Sequence, residues 1–239
     1  EALRAELDAR KLRPRRVALG LSRAAVTVKP IELPQVDGVV ADMVRFELDR
    51  HLPFATDDTP FDFIPLPGSG SAPLAGSTTP EGRRVLIAAA ERRLVDNALR
   101  IADEARLRPT SLTVAVHDLV GLVQVDRKRQ TVWIHKTGNI ADLVFLESGG
   151  VVLSRAVPSG EDARLVEELG KSLALVRWTQ LDALWVSGDG AASTLASPDS
   201  FASLGAVPTE PPYTTRARRL LTGRDQNPNG AALLAIAVA

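Results

Sequence analysis

The chain has 239 residues, 45% of them apolar, and its 29 lysines and arginines are balanced by 29 aspartates and glutamates, which gives a formal net charge of zero. This balance argues against nucleic-acid binding as the main role, and the absence of cysteine excludes disulfides, thiol nucleophiles and thiolate metal sites. An aromatic content of 4% is also too low for a platform that stacks on single strands.

The first part of the chain predicts a helix, an interrupted strand and a second helix. A polar helix is expected over residues 1–11, and residues 16–20 and 25–29 have the short β-branched runs of strands, which we count as one interrupted strand. An amphipathic helix is then predicted from about Val36, because apolar residues recur there at three- and four-residue steps, and Pro53 ends it.

The next stretch predicts three strands and one helix. The strands are expected at 61–65, 84–90 and 111–115. The helix, over 91–107, places four apolar side chains on one side: Leu94, Val95, Leu99 and Ala102. Together with the interrupted strand and the helix after it, the order is βαββαβ, which predicts a ferredoxin-like subdomain over about 16–115.

After a charged break at 126–129, the pattern changes to strands joined by tight turns. Strands are predicted at 131–134, 141–146 and 151–157, and the glycines between them favour hairpins. A long amphipathic helix follows, with a stripe of apolar residues on one face: Leu165, Val166, Leu169, Leu173 and Val176. A strand at 181–186 then runs directly into the sequence Ser-Gly-Asp-Gly-Ala, and two short helices are expected to close the chain.

The two ends of the chain give further expectations. The only methionine is Met43, so we expect the natural polypeptide to begin before Glu1. The apolar run at 231–239 is far shorter than the roughly 20 residues that span a bilayer. We expect a buried final helix there, and the alternative is a membrane anchor that continues beyond Ala239.

Four stretches occur in an order that is typical of one known family. They are the helix end and Leu-Pro-Phe motif at 47–54 with the acidic stretch after it, the strand–helix–strand at 85–114, the hairpins at 131–157, and the glycine turn at 185–191. In this order they resemble the PilM-type proteins of type IV pilus assembly and the related cytoplasmic domain of the type II secretion protein GspL. The resemblance, which extends to the cell-division protein FtsA, implies an α/β protein with an actin-like fold.

An actin-like fold implies two lobes. We expect a partial first lobe at 1–125, which carries the ferredoxin-like subdomain, and a second actin-like lobe at 126–239. A third possibility is a separate ferredoxin-like domain joined to an unrelated module. That possibility leaves unexplained why the strand at 181–186 passes directly into a glycine turn.

The same resemblance implies a nucleotide site, in which glycine-containing hairpins hold phosphates and acidic residues bind a metal. By resemblance, Gly138, Gly188 and Gly190 are the candidate cofactor-binding residues and ATP is the candidate cofactor; alternatively, the last two only serve a strand-to-helix turn. The first phosphate hairpin would precede Glu1. His135 stands where an acidic residue would bind Mg²⁺, which prefers oxygen ligands. We therefore expect no metal site, no catalytic residue and no ATP hydrolysis.

Other candidate sites are interpreted as structural. His117 and Asp118 would be half of a metal-dependent phosphohydrolase site, but the chain has three histidines in all, and we expect a loop residue after a strand. The basic clusters at 126–130 and 216–219 would suit anionic lipid or a partner, and we interpret each as a solvated face.

Two functions of different classes follow from the resemblance. The first is a cytoplasmic scaffold at the inner-membrane face, which binds an inner-membrane assembly protein of PilN, GspL or GspM type in a groove between subdomains, with the motor ATPase as a further partner. Such a scaffold is compatible with a homodimer or with the soluble domain of a single-pass membrane protein, and no nucleic-acid partner is expected. The second function is an ATP-binding actin-like switch or enzyme.

Overall fold

The computed structural model describes residues 1–14, 16–34, 39–54, 58–66, 83–222 and 230–238. Within these residues the strands form three β-sheets, two from the first half of the chain and one from the second. The architecture therefore changes near the charged break at 126–129. The exact lobe boundaries stay predictions.

The strands of the first half form two separate sheets. They are β1 (Arg16–Leu21), β2 (Thr27–Leu33), β3 (Phe61–Pro65), β4 (Arg83–Ala89) and β5 (Arg108–Val114). β1 pairs with β5 in parallel, whereas β2, β4 and β3 form an antiparallel sheet in that order. The three strands predicted between residues 61 and 115 are confirmed.

The prediction of one interrupted strand is wrong, because β1 and β2 belong to different sheets. A short 3₁₀ turn at Arg23–Ala25 separates them, and the Arg23 guanidinium donates to the carbonyl oxygens of Val26 and Val28, which redirects the chain. The order β2-β4-β3 is that of the first three strands of a split β-α-β unit. The expected fourth strand of the ferredoxin-like sheet, β5, lies beside β1 instead.

The helices of the first half are α1 (Ala2–Ala9), α2 (Val40–His51) and α3 (Arg92–Glu104). The start predicted for α2 falls in residues 35–38, which lie outside the described part of the chain. α2 covers one face of the three-stranded sheet, where a small core forms: Ile31, Leu33, Val44, Leu48, Val85, Ile87 and Ala89. On α3, Val95 and Ala102 are buried as predicted, but Leu99 is 42% exposed because it lies at the edge of the apolar stripe.

The second half forms a five-stranded sheet with the order β10-β9-β6-β7-β8. Its strands are β6 (Thr131–Thr137), β7 (Ile140–Glu147), β8 (Gly150–Pro158), β9 (Ala183–Gly188) and β10 (Pro208–Thr209). β6, β7 and β8 are the predicted antiparallel hairpins, and β9 pairs with β6 in parallel. The predicted long helix is α5 (Asp162–Val176), whose Leu165 and Leu169 are fully buried.

Short helices connect the sheets and close the chain. They are α4 (Ala115–Asp118) with a 3₁₀ turn at Leu119–Leu122, α6 (Ala191–Leu195), a 3₁₀ helix at Pro198–Leu204, α7 (Thr215–Thr222) and α8 (Gly230–Val238). α8 contacts α4 and β1 of the first half and β6 and β9 of the second half. The predicted final helix therefore packs between the two halves of the chain. None of the helices in the described part of the chain has the length and apolar character of a bilayer-spanning segment.

The three tryptophans of the chain all lie in its second half. Trp133 on β6 packs edge-on against Trp185 on β9, with ring centroids 5.7 Å apart, and Trp178 packs against Phe145. These rings fill both faces of the five-stranded sheet, so the second half has an aromatic core.

Candidate functional site

The three glycines predicted at a nucleotide site come together at one end of the five-stranded sheet. Gly188 ends β9 and pairs with Lys136 on β6, and Gly138 lies in the turn that follows β6. Gly190 precedes α6. Asp189, which lies between Gly188 and Gly190, holds this turn against β6, since its N–H donates to the Lys136 carbonyl oxygen at 2.9 Å.

Backbone geometry accounts for glycine at each of these positions. All three have positive φ, at +57° for Gly138, +90° for Gly188 and +68° for Gly190. A Cβ at position 188 would also lie 2.1 Å from the Lys136 carbonyl oxygen. A strand-to-helix turn is therefore enough to explain why glycine occurs at positions 188 and 190. Contact of these two residues with adenosine stays a prediction.

His135 is buried beside these glycines and holds the start of α8. Its Nε2 lies 3.0 Å from the Gly230 carbonyl oxygen, and its Nδ1 lies 2.9 Å from Ser187 Oγ. Because a carbonyl oxygen only accepts, Nε2 carries the proton and Nδ1 accepts from the Ser187 hydroxyl, whose oxygen in turn accepts from Trp133 Nε1 at 2.8 Å. Burial lowers the pKa of His135 to about 4, so the ring is neutral.

The Asp189 carboxylate joins the turn after β6 to the same helix start. Its Oδ2 accepts from the Gly138 N–H at 2.8 Å, and its Oδ1 accepts from the Gly230 N–H at 2.9 Å. These two backbone hydrogen bonds lower the pKa of Asp189 below its usual range. Gly230 is thus held through its carbonyl by His135 and through its N–H by Asp189.

This arrangement does not fit the phosphates of a nucleotide. The Gly138 N–H, which would hold a phosphate, already donates to Asp189, and both nitrogens of His135 are engaged. Lys136 points to the other face of the sheet, where its Nζ donates to Thr194 Oγ1 at 2.6 Å. In the described part of the chain, no group of three or more His, Cys, Asp or Glu side chains could hold a metal ion.

A second acidic group lies on the same face of the sheet. Asp142 pairs with His135 across β6 and β7, and it lines a cavity of about 780 Å³ beside β1 and α8. Its Oδ1 is buried without a hydrogen-bond partner among the described residues, and burial raises the pKa of its carboxyl group to about 6.

Arg23 and His117 form a polar joint between the first half of the chain and β8. Arg23 Nη2 donates to the Ser154 carbonyl oxygen at 2.6 Å, and its Nε lies 2.7 Å from Ser154 Oγ. His117 Nε2 lies 2.7 Å from the same hydroxyl, and burial and nearby Arg23 lower the pKa of His117 to about 4. The sequence places His117 after a strand and at the start of a short helix, and it lies in α4, where it contacts Ser154.

A groove of about 490 Å³ separates the three-stranded sheet from β5 and α4. Its walls are mainly apolar and come from the sheet face opposite α2, from β5 and from β8, as in Leu86, Ala88, Ala90, Leu112, Val114 and Val151. At one end, His117 and Asp118 add polar groups, and the Asp118 carboxylate is held by the Thr113 hydroxyl. The resemblance implies a groove between subdomains, and the position of this groove makes it the candidate for that role.

Sequence reasoning missed Arg23 and Asp189. Arg23 lies between two short strands, and nothing in its neighbourhood marks it as buried. Asp189 carried a signal, because an acidic residue between two glycines in a strand-to-helix turn can cap nearby backbone N–H groups.

Comparison with solved structures places this geometry among known folds. The chain matches a structure of a PilM–PilN type IV pilus biogenesis complex at 22% identity and a TM-score of 0.69, over 99% of this chain and 84% of that chain. It matches the cytoplasmic domain of EpsL, an inner membrane component of the type II secretion system of Vibrio cholerae, at 12% identity and a TM-score of 0.52, over 77% of this chain and 65% of that one.

A Bacteroides thetaiotaomicron protein with an actin-like ATPase fold and unknown function also matches, at 12% identity and a TM-score of 0.50, over 92% of this chain and 81% of that one. No family model matches the chain, and a search of the curated proteins gave no match. At these identities the likeness establishes the fold. The chain therefore has an actin-like fold, which it shares with the PilM–PilN complex structure and with the cytoplasmic domain of EpsL.

Proposed function

We propose that the chain is a non-enzymatic scaffold that binds a short extended segment of an inner-membrane protein of a pilus or secretion assembly apparatus. Two structures with this fold support the proposal, since one is a PilM–PilN complex and the other belongs to an inner membrane component of a secretion system. The observation that carries it is the open, apolar groove beside β3 and β5.

The groove suits a polypeptide in extended conformation. Among the described strands, β3 pairs with β4 alone and β5 pairs with β1 alone, so each has an edge without a strand partner. Main-chain groups at such an edge can pair with an added strand, while pockets receive alternate side chains. The walls around Leu86, Ala88 and Leu112 favour apolar side chains in those pockets.

The test is calorimetric titration with synthetic peptides that cover the cytoplasmic segment of the inner-membrane protein encoded beside this chain. We expect micromolar affinity, of the order of −8 kcal/mol. Ala88→Phe, which fills the groove, should weaken binding by more than about tenfold, since a filled pocket cannot receive an anchoring side chain.

The matched control is Ala202→Phe, which adds the same ring at an exposed position of the 3₁₀ helix after α6. Its affinity should equal that of the unaltered chain. A scrambled peptide that binds equally well, or an Ala88→Phe variant that binds as the parent does, would contradict the proposed groove.

The remaining parts of the proposal concern the setting of the scaffold. The chain would work at the cytoplasmic face of the inner membrane, held there through its partner, with the motor ATPase as a further partner. A homodimer is a further expectation, which sedimentation equilibrium over a range of concentrations measures directly.

A further inference from the structure

The Asp189 carboxylate occupies the position of an anion between two backbone amides. One amide belongs to Gly138 in the turn after β6, and the other belongs to Gly230, the first residue of α8. Turn amides and helix N-termini both attract negative charge. In this chain that charge comes from the protein itself.

The start of α8 lies close against the end of β6. A Cβ at Gly230 would lie 2.0 Å from the Lys136 carbonyl oxygen, which means that α8 begins in direct contact with the end of β6. On the other side, His135 fixes the Gly230 carbonyl. Four groups thus close a ring: Gly138, Asp189, Gly230 and His135.

We propose that Asp189 is a built-in anion that holds α8 against β6 without a nucleotide and excludes the phosphates of ATP from the amides of Gly138 and Gly230. A free phosphate would have to displace a carboxylate that is covalently tethered at its binding position, so the internal group has the advantage of a high effective concentration. This inference does not depend on the partner proposed above.

These hydrogen bonds at Gly230 keep α8 in one position. Because α8 also contacts α4 and β1, the ring at its first residue couples the second half of the chain to the first. In a nucleotide-dependent switch, this coupling would change with the bound nucleotide. Here the coupling is present whenever Asp189 is ionised.

The experiment compares Asp189→Asn and Asp189→Gly with the unaltered chain, using amide hydrogen exchange at Gly138 and Gly230 followed by NMR. We expect exchange at both amides to rise by about tenfold or more in both variants, since their acceptor is weakened or removed. In Asp189→Gly, inorganic phosphate should slow this exchange again, whereas sodium chloride at the same ionic strength should not.

The matched control is Asp182→Asn at the opposite end of β9. Asp182 Oδ2 accepts from the Gln130 N–H at 2.8 Å, so it also caps a backbone amide next to β6, but it is far from α8 along the strand. This variant should leave exchange at Gly138 and Gly230 unchanged.

A second measurement keeps the proposal falsifiable if Asp189→Gly fails to fold. The unaltered chain is titrated with ATP and Mg²⁺ in a calorimeter, and no binding is expected up to millimolar concentration. Micromolar binding by the unaltered chain would overturn the proposal, as would unchanged exchange at the two amides in Asp189→Asn.

Discussion

The imidazole of His135 accepts from the Ser187 hydroxyl through Nδ1 only while it is neutral. If the ring were protonated, Nδ1 would become a donor and the Ser187 hydroxyl would have to turn to accept from it. The same residue would then lie charged among buried groups, next to the apolar α8. The neutral histidine at this position therefore supplies a structural contact to the start of α8.

This residue-scale argument predicts a pH dependence of stability. The pKa values of His135 and His117 are about 4 in the folded chain, below the ordinary 6.5, so the unfolded chain binds more protons between pH 6.5 and 4. Stability from these residues is complete above pH 6.5 and falls as the pH drops through this window. Asp142 acts in the opposite direction, because its folded pKa of about 6 exceeds the ordinary 3.8.

The two histidines together change the unfolding free energy more than the one aspartate does. We therefore expect a net loss of about 2 kcal/mol in unfolding free energy between pH 7 and pH 5. Urea unfolding followed by circular dichroism at the two pH values measures it. His135→Gln removes one of the histidine contributions, so its stability should change less between the same pH values. An equal change in both proteins would contradict this role of His135.

At the scale of elements, Arg23 is the joint between the first half of the chain and β8. Its guanidinium donates to the carbonyl oxygens of Val26, Val28 and Ser154, which satisfies three acceptors at a place where the chain moves from one sheet to another. Burial lowers the pKa of Arg23 to about 10, so the charge is retained at neutral pH.

We predict that Arg23→Ala lowers the free energy of unfolding by about 3 to 5 kcal/mol, because it leaves several buried carbonyl groups without a donor. The control is Arg100→Ala on α3, which removes an exposed ion pair with Glu104 and should cost at most about 0.5 kcal/mol. Chemical denaturation of the three proteins provides the comparison. Similar midpoints for the two variants would show that the joint contributes little.

At the scale of the whole molecule, α8 is the element that both halves share. Leu233 on α8 is buried in the large core, which also contains residues from the three-stranded sheet and the five-stranded sheet. Removing its side chain therefore weakens a core to which both halves contribute.

We predict that Leu233→Ala costs about 2 to 4 kcal/mol and speeds amide exchange in β1 as well as in β6. Leu175→Ala is the control, because Leu175 lies exposed on α5 and its replacement should stay within about 0.5 kcal/mol of the parent. Exchange that rises in β6 alone would contradict the shared position of α8.

Local patterns predicted most elements but not every sheet partner. Glycine turns and alternating apolar residues specify the hairpins β6–β7 and β7–β8, since these strands are neighbours in sequence. β1, β2 and β5 are individually recognisable as strands, yet strand propensity carries no information about distant partners, and for this reason the ferredoxin-like sheet was predicted with one strand too many.

The three glycines of the candidate site were expected to lie together, whereas the hydrogen bonds around them were not expected. Gly138, Gly188 and Gly190 were placed together through a resemblance, and the structure brings them together. The hydrogen bonds that close the site come from Gly230, nearly a hundred residues after His135. Contacts between residues so far apart in sequence form only when the chain folds, and local sequence patterns do not predict them.

The confinement of the three tryptophans to the second half has a practical consequence for spectroscopy. Intrinsic indole emission reports on that half alone, and the bond from Trp133 to Ser187 makes it sensitive to the surroundings of His135. Unfolding of the three-stranded sheet by itself would leave the tryptophan emission unchanged. If the two halves unfold separately, denaturation curves from tryptophan fluorescence and from a backbone signal will differ. If the two curves coincide, the whole chain unfolds cooperatively.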